Sequence, residues 1–254
     1  MKKLIAWLDS ENTLGIAIAG SFARNEGGPY SDVDVTQYVR QKPASEAERY
    51  RLCFMDGYLV SLKVAALEDE YASLQAPERA ICAVPGLRQL RILLDKDGAI
   101  AILKENAEKA TWKPLQPAAN AFASRELSGY AEEVYKILDG LKRRDESKTL
   151  YATWGLTRGM ATALLVQRGV LIPTENAYLD LAQDTAGRTS NWTRQFRLAI
   201  GLEPLPPEEP AFIAYGVAAL KLYRESHVLF RQILLPEDAD VVDRTLEVMA
   251  KAGY

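Results

Sequence analysis

Residues 15–35, GIAIAGSFARNEGGPYSDVDV, constrain this chain more than any other stretch. Gly15-Ile16-Ala17-Ile18-Ala19 is short, small and apolar, the composition of a buried strand. The chain must then turn at Gly20-Ser21, and Gly20 supplies the backbone freedom for a sharp corner. Ser21 is placed to cap a short helix through Phe22, Ala23 and Arg24. A strand passing through Gly-Ser into a helix start aims unpaired N–H groups and a positive dipole end at one spot, which suits an anion. A loop rich in Gly and Pro follows, and then Ser31-Asp32-Val33-Asp34-Val35. Alternation predicts a second strand with Asp32 and Asp34 on one face and Val33 and Val35 on the other.

Two carboxylates side by side on a strand face repel each other. They make chemical sense around a divalent cation, because Mg²⁺ takes one or two carboxylates and leaves positions for substrate phosphates. A phosphate-binding turn, a spacer and a metal-binding pair are the parts needed for phosphoryl or nucleotidyl transfer.

At these residues the chain resembles the nucleotidyltransferase superfamily that includes DNA polymerase β and the aminoglycoside nucleotidyltransferases. The resemblance rests on Gly20-Ser21, ten intervening residues, and Asp32-Val33-Asp34, in the fuller form Gly20-Ser21-x-Ala23-Arg24 with Ser31-Asp32-Val33-Asp34. It implies that Asp32 and Asp34 hold Mg²⁺ while Gly20, Ser21 and the amides after them cradle the phosphates of a nucleoside triphosphate. Arg24 and Ser31 are implied near the nucleotide. It further implies an α+β fold: a small mixed sheet with flanking helices, followed by an α-helical bundle.

Further along, Asp56-Gly57 signals a turn and residues 58–65, YLVSLKVA, a strand. Val60, Leu62 and Val64 share its core face, and Ser61 and Lys63 share the face expected beside Asp32 and Asp34. In the superfamily this strand usually donates a third carboxylate, and here the matching position is Ser61. Lys63 cannot replace a metal ligand, but its ammonium can hold phosphate oxygens. Residues 40–51 are polar and read as a loop with a helical turn. Residues 68–74 read as a helix, Pro85-Gly86 as a turn, and residues 87–94 as a strand or short buried element. Asp95-Lys96-Asp97-Gly98 has turn composition. It lacks the remaining ligands of an EF-hand and is not a calcium loop.

Two prolines in Trp112-Lys113-Pro114-Leu115-Gln116-Pro117 mark a change of character and set the expected boundary between a catalytic domain, 1–113, and a helical acceptor-binding domain, 114–254. Beyond it the apolar spacing is helical over 118–143, 149–168, 210–235 and 238–252, predicting a bundle of about five helices. In the enzymes this arrangement resembles, a Glu on the first helix of the second domain acts as general base. Glu126 is the candidate here, with Glu132 and Glu133 nearby.

Composition narrows the partners. A net charge of −3 and a pI near 5.5 disfavour a nucleic-acid backbone. No apolar run approaches the roughly 18 residues of a membrane span, and the first residues are too short for a signal-peptide core. A cytoplasmic location is therefore expected, with Cys53 and Cys82 reduced and buried. The single His227 excludes a His-rich zinc site. Together these features predict an enzyme that moves NMP, with AMP favoured, from a nucleoside triphosphate to a hydroxyl of a small-molecule acceptor such as an aminoglycoside. A nucleotide-binding regulatory protein with lost activity and an antitoxin-like protein nucleotidyltransferase stay open as alternatives. A homodimer is compatible with the sequence.

Overall fold

The computed structural model describes residues 2–205 and 210–254. Its packing separates two compact units, Met1–Lys113 with Leu171–Glu175, and Pro114–Val170 with Asn176–Tyr254. The first unit opens with α1 (Lys2–Leu8), β1 (Thr13–Ile18), α2 (Gly20–Ala23) and β2 (Val33–Val39). It continues through α3 (Glu46–Arg49), the hairpin β3 (Tyr50–Met55) and β4 (Tyr58–Ala66), then α4 (Leu67–Gln75), α5 (Pro77–Arg88), β5 (Arg91–Asp95) and α6 (Ala99–Lys109). The fold is α+β, with a five-stranded mixed sheet in the order β3-β4-β2-β1-β5.

Only β2 and β4 run parallel; the other neighbours are antiparallel. The β3–β4 turn is Asp56-Gly57, both with positive φ, as a tight hairpin turn requires. One face of the sheet carries Ile16, Ile18, Val33, Val35, Val60 and Leu62, buried with Leu4 and Leu8 of α1. The other packs Ala17, Tyr38 and Ala65 against Leu87, Ile100 and Leu103 of α5 and α6. The valines of β2 therefore face one way and Asp34 the other. Asp95 caps α6, accepting the N–H groups of Ile100 and Ala101 at 3.3 and 2.9 Å, the ordinary use of an acid before a helix.

Three local expectations change. Residues 50–55 form β3, of which only Tyr50 and Arg51 fall in the expected loop 40–51 and the rest carry no strand expectation; its exposed Tyr50, Leu52 and Phe54 hide the strand, because their alternation runs opposite to that of a core strand. Pro85-Gly86 is not a turn but lies inside α5, which extends to Arg88 and leaves only Arg91–Asp95 as strand. Cys53 is half-buried and Cys82 exposed, so neither is the buried thiol expected.

The second unit holds seven α-helices among the described residues, more than the five expected: α7 (Gln116–Gly129), α8 (Ala131–Arg143), α9 (Glu146–Arg168), α10 (Tyr178–Ala186), α11 (Asn191–Ala199), α12 (Ala211–Phe230) and α13 (Pro236–Lys251). The helical stretch 118–143 breaks between Gly129 and Ala131. Gly is a weak helix former, and the Tyr130 ring packs so closely on Gly159 of α9 that a Cβ there would collide with it. Three inward-facing polar groups tie the helices together: Ser124 Oγ donates to Asp238 at 2.6 Å, Trp192 Nε1 to Ser226 at 2.9 Å, and the Tyr223 hydroxyl to the Leu127 carbonyl at 2.9 Å. Among the described residues no helix is long and apolar enough to cross a membrane.

Candidate active site

Asp34 sits second in β2, between two structural neighbours. On one side its carbonyl accepts the Ala19 N–H at 2.9 Å, where β1 passes into α2. On the other, its partner across the parallel ladder is Ser61 of β4. Gly20 has φ +60°, and a Cβ there would run into the Asp34 carboxylate. Glycine is thus required twice, by the backbone conformation and by the close approach.

The helix begins two residues earlier than the sequence predicts. Ala19, not Ser21, occupies the cap position, and it makes no side-chain cap bond. The first in-helix bond runs from the Ala23 N–H to the Ala19 carbonyl at 3.3 Å. The N–H groups of Gly20, Ser21 and Phe22 therefore have no acceptor within the helix.

Asp32 lies just before β2, which opens at Val33, so the two acids do not share a strand as expected. They remain electrostatic neighbours. Burial pushes the Asp34 carboxyl above its ordinary range, the charge of Asp32 pushes it further, Arg24 opposes this, and Glu175 adds to the rise. Arg24 is aimed by two partners, Glu26 at 2.6 Å and Gln89 at 3.1 Å. Ser31 closes the preceding loop: its Oγ accepts the Gly28 N–H at 2.9 Å and its N–H donates to the Gly28 carbonyl at 3.1 Å.

Lys63 stands on the same sheet face, opposite Thr36 of β2 and Tyr50 of β3. Its ammonium is 2.6 Å from Glu70, a buried carboxylate of α4. Ser61 Oγ donates to the Tyr50 hydroxyl at 3.1 Å. A cavity of about 580 Å³ lies over this face under α4 and α5, lined among others by Asp34, Ser61, Lys63, Tyr50, Glu70 and Arg79. That volume is in the range of small-molecule sites.

Glu70, Arg79, Tyr50 and Glu175 were not singled out from the sequence. Glu70 had a signal: it falls on the stripe Leu67, Glu70, Tyr71, Leu74 that packs on the core, and an acid on a buried stripe needs a partner. Glu175 reaches the first unit on the segment Leu171–Glu175. The Ile172 N–H donates to the Ile81 carbonyl of α5 at 2.7 Å. Ile81 stands four residues before Pro85, which has no N–H to give it. The proline thus leaves open the acceptor on which the segment docks.

Glu126 belongs to the second unit. It lines a depression of about 290 Å³ with Tyr130, Trp154, Arg158 and Thr162, and burial pushes its carboxyl up against the pull of Arg125. Of the neighbouring acids, Glu132 and Glu133 both pair with Lys136.

The corner thus joins a glycine pressed on a half-buried acid, a second acid beside it and open amides. Residues 1–83 match the nucleotidyltransferase domain. The matched span covers α1 to β4 and runs through most of α5, so it includes Gly20, Asp32, Asp34, Ser61 and Glu70. No curated protein matches the chain significantly. Among solved structures, a nucleotidyltransferase-like protein from Exiguobacterium sibiricum 255-15 is similar at 14% identity, with a TM-score of 0.52 over 98% of this chain and 78% of that one. This likeness extends the common fold past the nucleotidyltransferase domain into the helical unit.

Proposed function

We propose that the protein is a Mg²⁺-dependent nucleotidyltransferase that moves NMP from a nucleoside triphosphate, ATP above all, to the hydroxyl of a small-molecule acceptor. The observation that carries this is the corner at Asp34, where Gly20, the amides of α2 and the Asp32–Asp34 pair converge. The donor set fits the metal. Asp32 and Asp34 offer hard oxygens whose mutual repulsion is only partly offset by Arg24. Among the described residues no cluster of three or more ligating side chains forms. Two carboxylates without a full protein cage suit a cation that keeps water and phosphate ligands, as Mg²⁺ does. When bound by these acids, Mg²⁺ supplies charge neutralisation at the reacting phosphate.

The chain's own residues do the rest. The N–H groups of Gly20, Ser21 and Phe22 hold the β- and γ-phosphates, and Arg24, fixed by Glu26 and Gln89, adds positive charge beside Asp34. Ser31 shapes the loop between these parts. Lys63 and Arg79 extend the positive lining of the cavity, with Lys63 positioned by its 2.6 Å contact with Glu70. The acceptor oxygen attacks the α-phosphorus as the bond to pyrophosphate breaks, and the hydroxyl proton passes to a base. Glu126 is the candidate base, its raised proton affinity being appropriate to the task. Because β4 carries Ser61 rather than an acid, the chain relies on two carboxylates. The test is pyrophosphate release and nucleotide transfer across a panel of hydroxyl acceptors. Wild type should turn over only with Mg²⁺, and Asp32→Ala and Asp34→Ala should be inactive while remaining folded; unchanged turnover in either variant refutes the assignment. Mg²⁺–ATP binding without pyrophosphate release from any acceptor would favour a regulatory nucleotide-binding protein, the reading that Ser61 invites.

A further inference from the structure

The edge of the sheet beyond Ser61 carries an apolar surface that the reaction described above does not use. Strand β3 pairs with β4 so that Leu52 stands opposite Ser61, Phe54 opposite Leu59 and Tyr50 opposite Lys63. Directly paired residues share a sheet face, and Ser61 is itself paired with Asp34. Leu52, Ser61 and Asp34 therefore form one row across three strands. Phe54 is 79% exposed, and Tyr50 and Leu52 are each 55% exposed. Three large apolar side chains at alternate positions of one strand, all turned to the face that bears Asp34, make a shelf. Tyr50 joins the shelf to the cavity, its ring lining the cavity and its hydroxyl accepting from Ser61 at 3.1 Å.

Direction selects what lies on it. In an in-line displacement the attacking and leaving oxygens lie on opposite sides of the phosphorus. With pyrophosphate held at the α2 amides, on the β1 side of Asp34, the attacking hydroxyl arrives from the β4–β3 side. Ser61 is small there and leaves room. We propose that the Tyr50-Leu52-Phe54 shelf seats the acceptor, and that the acceptor is a hydroxyl compound with an aromatic or apolar body rather than a polycationic amino sugar. This rests on the nucleotidyl-transfer reading and narrows its acceptor class. Beyond Asp34 the β4–β3 face offers Ser61, Leu52 and, one pair further along β3, Phe54, while the buried Glu70 of the adjoining cavity is already paired with Lys63.

The experiment uses the full chain loaded with Mg²⁺ and a non-transferable ATP analogue. Binding of phenethyl alcohol is followed by saturation-transfer NMR in wild type and in Leu52→Ser/Phe54→Ser, whose exposed positions leave the core intact. Affinity for the analogue is titrated in parallel. The proposal expects alcohol binding that weakens about tenfold or more in the variant, a change of about 1.4 kcal/mol, with analogue affinity unchanged. Equal alcohol binding in both proteins overturns it, as does an absence of alcohol binding by analogue-loaded wild type. A matching loss of analogue affinity in the variant would make the shelf a nucleobase seat and also overturn it. So would a wild-type dimer that the variant dissociates in sedimentation while alcohol binding persists, since the shelf would then join two copies of the chain. Failure of the underlying reading looks different: wild type would show no Mg²⁺-dependent binding of the analogue, and both claims would fall together.

Discussion

Replacing Gly20 with alanine separates two roles that the structure assigns to one residue. The first is conformational. At φ +60° a side chain costs about 1–2 kcal/mol, and for a chain of this length each kcal/mol lowers Tm by about 2–4 °C. The second is steric. The new methyl would strike the Asp34 carboxylate, which lies at the end of a short side chain and can rotate away. Rotation relieves the clash at little further expense to folding, but it moves the acid out of register with Asp32. Changing a neighbour that orients a metal ligand, the part Gly20 plays for Asp34, typically lowers metal affinity about 10–100-fold. Gly20→Ala is thus expected to melt a few degrees low and to lose Mg²⁺-dependent ATP binding far more than its stability loss explains. Differential scanning fluorimetry and calorimetric titration read the two effects separately. Repeating the melt in an Asp34→Ala background should return nearly the same thermal shift, since the strain comes from the backbone. A Gly20→Ala protein that binds Mg²⁺–ATP like wild type would refute the close approach as a functional feature.

Two further outcomes follow from the same geometry. Burial and Asp32 raise the folded-state proton affinity of Asp34, so the folded chain binds more protons than the unfolded one over the window above the ordinary value of 3.8. Stability should be fullest below that value and fall as pH rises through the raised one. Metal-free Asp34→Asn should therefore outlast wild type in thermal melts at neutral pH and lose that advantage in acid, and Mg²⁺ should reverse the order at neutral pH; parallel pH curves would contradict this. Pro85→Ala restores an N–H that competes for the Ile81 carbonyl, so exchange of the Ile172 amide should quicken while α5 itself grows more protected. Unchanged exchange at Ile172 would show that the proline does not hold the acceptor open.

Much of the first unit was legible because its signals are local. Gly20 and the alternation of acids with Val33 and Val35 define the corner and the strand after it, and Asp56-Gly57 defines the hairpin turn. The matched nucleotidyltransferase domain and the α+β fold agree with what those residues implied. What stayed hidden depends on contacts distant in sequence. Strand β3 was missed because its large side chains point outward, the reverse of the core alternation that identifies a strand. Pro85-Gly86 resembled a turn because nothing local tells that the freed Ile81 carbonyl is answered by Ile172. Glu70 carried a readable anomaly, an acid on a buried stripe, but its partner Lys63 is visible only once β4 and α4 are folded together. The break at Tyr130 depends on Gly159 of a different helix.

The most direct measurement of the central claim is calorimetric titration of ATP with Mg²⁺ into wild type, Asp32→Ala and Asp34→Ala. The account predicts binding by wild type that requires the metal and is lost in both variants, with all three proteins melting cooperatively. Metal-independent binding, or binding that survives either substitution, would contradict it.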